Sequence, residues 1–235
     1  MLFVAGSIYG QKDRTGTRQL TRVNNSKEVR QNFEQRAADG LKVIIYQAGA
    51  NGLAPVSPSK TFKTGDRFKL KFESNFDGYV YVINVTPRGE NRLLFPRGLT
   101  RHNNVRAGES YDIPAANDFK FEGEPGLEVL RVLMSRTPVY ILETVLDRAP
   151  RNASYIALNT AVAKSLEEII GKPERSKTGG ITAQSGGRKP GTKTRTLTLD
   201  RKKQITFVVV SGSSGLPSRF QPGEISVFEI SLNHL

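Results

Sequence analysis

Polar and apolar residues alternate from Phe68 to Glu73, with Phe68, Leu70 and Phe72 on one side and Lys69, Lys71 and Glu73 on the other. A period of two sets one face against a core and the other in water, which predicts a half-buried antiparallel strand. The run Tyr79-Val80-Tyr81-Val82-Ile83 is apolar on both faces until Asn84 and predicts a strand at the centre of a sheet covered on both sides. Asn75-Phe76-Asp77-Gly78 between them reads as a tight turn, with Asp-Gly supplying the positive φ of a short connection. The two strands are therefore expected as neighbours.

The same reading extends in both directions. Leu41, Val43 and Ile45 mark an earlier strand, and Thr64-Gly65-Asp66 and Arg88-Gly89-Glu90-Asn91 mark turns. Short strands follow at Arg92 to Phe95, Tyr111 to Ile113 and Phe119 to Phe121, and Leu127 to Met134 is dense enough to be central. Many short strands separated by turn signals predict a mainly β fold, an antiparallel β-sandwich, Ig-like or related. Strand character returns at Ile205 to Val210 and at Val227 to Leu232, where Phe228, Ile230 and Leu232 share a face.

Two stretches break the pattern. Thr137-Pro138 is a helix entry, and Asn152 is placed to cap a longer helix with Tyr155, Leu158, Val162, Leu166 and Ile169 on one face, stopped by Gly171 and Pro173. One or two covering helices are thus expected within 138–171. From Gly171 to about Thr194 the chain is rich in Gly, Ser, Thr, Lys and Arg, too poor in apolar surface to order itself, and a disordered basic insertion over 172–195 is expected. A polar arm, 12–40, precedes the strands, with Ser26 as cap of a short helix carrying Val29, Phe33 and Ala37. Residues 41–235 then form a single domain.

The start of the chain, Leu2 to Gly10, is an apolar, small-residue run that switches abruptly to Gln11-Lys12-Asp13-Arg14. It reads as the remnant of a secretory signal over 1–11, so a periplasmic or secreted protein is expected; an ordinary first strand is the other reading. No stretch is long enough for a membrane span of about 20 residues. The absence of cysteine excludes disulfides, thiolate nucleophiles and Cys-bound zinc. A net charge of +13 favours anionic partners, or simply keeps the protein soluble.

Phe68-Lys69-Leu70, Asp77 to Asn84, Leu93-Leu94-Phe95-Pro96, Asn103-Asn104 with Gly108, Ile113-Pro114, Pro125-Gly126 and Ser135 recur in order and spacing in one bacterial family. From Phe62 to Val139 the chain resembles the domain of unknown function numbered forty-three eighty-four. The resemblance implies an exported accessory β domain of the kind appended to peptidase or kinase modules. It brings no catalytic or binding residues with it.

Chemistry is sparse. The two histidines, His102 and His234, fall in a polar loop and at the C-terminus, with no triad or metal-ligand spacing around either. Ser211-Gly212-Ser213-Ser214-Gly215 lacks the features of a phosphate-binding loop or a nucleophile elbow. No catalytic residue, metal ligand or cofactor is expected. The sequons at Asn84 and Asn152 are discounted. What remains is a basic run, with polyanion contact assigned to Arg188, Lys189, Lys193, Arg195, Arg201, Lys202 and Lys203. No aromatic interrupts it, so base stacking is not encoded there. The expectation is a non-enzymatic envelope protein, a binding or scaffolding module whose partner is an anionic wall or membrane polymer or another envelope protein. The alternative is a cytoplasmic nucleic-acid-binding protein using the same segment.

Overall fold

The computed structural model describes residues 38–96, 103–150, 153–172, 180–184, 192–199, 202–211, 219 and 223–235. The signal-like run, the Ser26 helix, His102, Asn152 and most of the 211–215 loop lie outside them. In chain order the first strands are β1 (Gly40–Gly49), β2 (Gly52–Val56), β3 (Thr61–Phe62), β4 (Arg67–Ser74) and β5 (Gly78–Val85). Next come β6 (Asn91–Phe95), β7 (Asn104–Val105), β8 (Ser110–Ile113), β9 (Phe119–Lys120) and β10 (Gly126–Ser135). Helix α1 (Tyr140–Arg148), β11 (Ile156–Leu158) and α2 (Thr160–Ile170) precede β12 (Gly180–Gln184), β13 (Thr192–Leu199), β14 (Gln204–Ser211) and β15 (Ile225–His234).

The strands form two sheets. One runs β13-β14-β1-β4-β8, with β2 on β1 and β9 on β4; the other runs β11-β6-β5-β10-β15-β12, with β3 on β15 and β7 on β5. Every pairing is antiparallel except β3 with β15, a short parallel contact. Leu41, Val43 and Ile45 of β1, Phe68, Leu70 and Phe72 of β4 and Ile205, Phe207 and Val209 of β14 meet Val80, Val82, Leu130, Val132, Met134, Phe228, Ile230 and Leu232 from the facing sheet in one core. Each large side chain buried this way contributes about 1.5–3 kcal/mol. The molecule is a β-sandwich, as the alternation predicts.

A third layer explains why β5 and β10 are apolar on both faces. Tyr81, Ile83, Leu133 and Val227 turn away from the sandwich core and pack against Leu142 and Leu146 of α1 and Leu166 and Ile170 of α2. β5 and β10 are interior strands of this doubly covered sheet. The β4 pattern, buried at alternate positions and only partly buried between them, fits a sheet covered on one face.

Several elements differ from expectation. β4 and β5 are not neighbours: they belong to opposite sheets, and both edges of each are taken by other strands. Their connection is an arch across the core. Phe76 fills it, 2% exposed, and Ser74 Oγ receives the Phe76 N–H at 3.1 Å and donates to the Phe76 carbonyl at 2.7 Å. Gly78 does not have a positive φ. Glycine is needed there because a Cβ would collide with the Ser135 carbonyl oxygen and approach the Phe76 ring to 2.7 Å.

The single long helix from Asn152 is also corrected. Ile156–Leu158 pairs with β6, and the helix starts only at Thr160, capped by Asn159, whose Oδ1 accepts from the Val162 N–H at 3.0 Å. Pro138 stands before α1, which begins at Tyr140, and does not occupy its first turn. The insertion expected to be disordered over 172–195 contains β12, paired with β15, and the start of β13, paired with β14. Thr at every second position from Thr192 to Thr198 supplies β-branched residues at a period of two, and the neighbouring strands supply the pairing that composition leaves out of account.

Candidate functional site

The described part of the basic run assigned to polyanion contact lies along one margin of the sandwich. Lys193 and Arg195 fall in β13, the edge of its sheet, opposite Val210 and Val208 of β14. Lys202 and Lys203 are exposed in the turn between the two strands, and Lys203 takes a left-handed φ of 61°. Arg188, Lys189 and Arg201 lie outside the described residues. The turn and the edge strand thus bring four of the seven assigned positions onto one hairpin. From Lys172 to Lys203 the sequence holds ten Lys and Arg against Glu174 and Asp200, so most of the net charge of +13 belongs to this stretch.

A second feature, unmarked in the sequence, lies at one open end of the sandwich. A cavity of about 230 Å³ is walled by Phe68, Phe119, Phe121, Leu94, Leu130 and Leu232, with Asn84 and Glu128 among its lining residues. Glu128 is 7% exposed. Asn84 Nδ2 donates to Glu128 Oε2 at 2.9 Å, while Asn84 Oδ1 is buried without a hydrogen-bond partner. His234 Nδ1 stands 3.9 Å from Glu128 Oε1, and its Nε2 is 2.9 Å from Thr64 Oγ1. Burial holds the Glu128 carboxyl above its ordinary range, only partly offset by the Asn84 hydrogen bond and the charge of Arg92. Burial pushes His234 down, so the imidazole is neutral at pH 7. Nothing in the sequence showed that β5, β10 and β15 would gather Glu128 with Asn84 and His234.

Two other polar groups are buried and accounted for by structure. Arg131 and Glu229 are opposite one another on β10 and β15, 2.8 Å apart and both almost fully buried. Arg131 Nη2 also donates to the Gly171 carbonyl at 2.8 Å, which ties the end of α2 to the sheet. Burial lowers the Arg131 pKa and the Glu229 charge opposes that shift. Tyr81 donates to Glu143 of α1 and accepts the Val139 N–H at 2.9 Å; Asn103 Nδ2 donates to the same carboxylate at 3.2 Å. Burial and the adjacent Glu143 raise the Tyr81 phenol, which is thereby kept as a hydrogen-bond donor that fixes the start of α1.

Among the described residues no group of three His, Cys, Asp or Glu is placed to hold a metal ion, and no helix is long and apolar enough to cross a membrane. No curated protein matches the chain, and no solved structure does. The stretch from β3 to the residues just before α1 is different: it contains the arch and most of the cavity wall, and leaves the basic hairpin outside. Over these residues, 61–138, the chain matches the family model described as Domain of unknown function (DUF4384), which bears out the resemblance read from its motifs.

Proposed function

We propose that this protein is a non-enzymatic binding or scaffolding module of the bacterial cell envelope, exported to the periplasm or beyond, that meets an anionic wall or membrane polymer through the β13–β14 hairpin. The observation that carries the reading is the concentration of positive charge in one stretch of the chain, ten Lys and Arg against Glu174 and Asp200 from Lys172 to Lys203. Lys and Arg so arranged bind a polyanion by releasing its condensed counterions, a mode that needs density of charge and no cleft. The apolar run at 2–10 supports the address.

The test combines location with binding. Fractionation of the native host with N-terminal sequencing is expected to find a processed product outside the cytoplasm. Titration with an anionic wall polymer is expected to give an affinity that falls linearly with salt on logarithmic axes. An unprocessed cytoplasmic product that binds DNA in the same salt-dependent way would replace this reading with a nucleic-acid-binding one. Absence of binding to either polymer at low salt would remove the role of the hairpin.

A further inference from the structure

From the cavity at the open end of the sandwich we infer a second binding site, one for a primary ammonium group carried on a short aliphatic stem, with Glu128 as its counter-ion. The charges around the mouth are matched among themselves. Arg92 pairs with Glu90 at 2.6 Å, Lys120 with Glu122 at 2.8 Å and Asp118 with Lys69 at 3.9 Å. Glu128 is the acid left over. Its nearest basic group is His234, which is 3.9 Å away. The cavity lining therefore offers a carboxylate, Glu128, whose Oε2 accepts a hydrogen bond from Asn84 Nδ2.

The walls select what can carry the charge. Phe119 and Phe121 line the cavity and supply apolar surface against which an aliphatic stem can pack. The guanidinium of Arg92 stacks on Tyr155 at 4.7 Å and stands at the rim, shared with a larger surface groove along β11 and α2. A volume of about 230 Å³ is below the ~300–1,000 Å³ of sites for whole drug-sized ligands. The site thus takes one end of a molecule, and a lysine-like side chain or a small alkylamine has the required chemistry. This site lies on the opposite logic from the basic hairpin: it receives a cation, and does not depend on the envelope reading.

The groups that set its pH range are Glu128 on β10, His234 on β15, and Arg92 and Glu90 at β6. Protonating His234 would give Glu128 a cation of its own; burial lowers the His234 pKa, so this weakening of binding should set in only below the ordinary histidine value of 6.5. The experiment uses the full chain and two probes, n-butylammonium and Nα-acetyl-lysine amide, with butan-1-ol as the uncharged control. Binding is followed by calorimetry and by amide chemical shifts. Both amines are expected to bind saturably at pH 7.5 and to shift resonances of Asn84, Glu128 and Phe119. Glu128→Gln, nearly isosteric, is expected to weaken them at least about tenfold, the order of one lost charge-assisted hydrogen bond. Butylammonium binding without the lysine derivative would restrict the site to small free amines. Equal binding of butan-1-ol by the unaltered protein, equal binding of the amines by Glu128→Gln, or no saturable shift at these residues would overturn the assignment.

Discussion

A methyl group added at Gly78 would run into the Ser135 carbonyl oxygen, which is backbone and held in the β5–β10 ladder, and into the ring of Phe76, which fills the arch. Neither neighbour can give way without opening the sandwich end. Gly78→Ala is expected to lower stability by about 1–3 kcal/mol, the range for an overpacked interior; urea unfolding measures it, and an unchanged midpoint would show that the arch is more yielding than its packing implies. Glu128 and His234 make a second residue-scale case, with opposite signs. The Glu128 pKa is raised in the folded protein above its ordinary 4.5, so its contribution to stability is present below that value and lost as pH rises through the folded pKa. His234 is lowered from 6.5, so its contribution is present above 6.5 and lost as pH falls through the folded pKa. Glu128→Gln should therefore be more stable than the parent at pH 7.5, and the difference should close toward pH 4. Thermal unfolding across that range would expose the idea as wrong if the gap widened on acidification.

At the scale of elements, side-chain period proved informative and partner choice did not. The alternation of Phe68, Leu70 and Phe72 identified a strand with one wet face, and the doubly apolar Tyr79 to Val85 identified a central one. Both properties are local consequences of which faces are covered. Whether the four residues between them close a hairpin or arch across the core depends on which other strands occupy the edges, and β1, β8 and β9 compete for β4 from far along the chain. Ile156–Leu158 misled for a related reason: its apolar residues satisfy a helical spacing with Val162 and Leu166, but pairing with Asn91 to Leu93 of β6 draws them into the sheet. The helix boundary then passes to Asn159. Asn159→Ala removes the acceptor for the Val162 N–H and should cost about 1 kcal/mol, with Asn159→Ser recovering most of it. Equal losses in both variants would show that the packing of Leu166 and Ile170 alone sets the start of α2.

Across the whole molecule, the interactions that hold the fold and the charges proposed to meet a polymer are carried by different parts of the chain. The core lies between two sheets and under two helices, while the exposed Lys202 and Lys203 sit at a turn on the sheet margin. The cavity residues, by contrast, belong to the packed body, so a ligand there would be coupled to stability. This division could not be read from composition, which reports +13 for the chain as a unit. It predicts that stability and polyanion affinity respond independently to the same substitutions. Lys202→Gln with Lys203→Asn removes two charges, and asparagine tolerates the left-handed φ at position 203. The unfolding free energy should stay within about 0.5 kcal/mol of the parent, as for exposed positions generally. On duplex DNA, a polyanion of known charge density, the slope of log affinity against log salt should become shallower by about 2, close to one counterion for each lysine removed. An unchanged slope would place the contact elsewhere on the chain; an unfolding free energy that fell with it would mean that the turn is part of the folded core and not a separable binding edge.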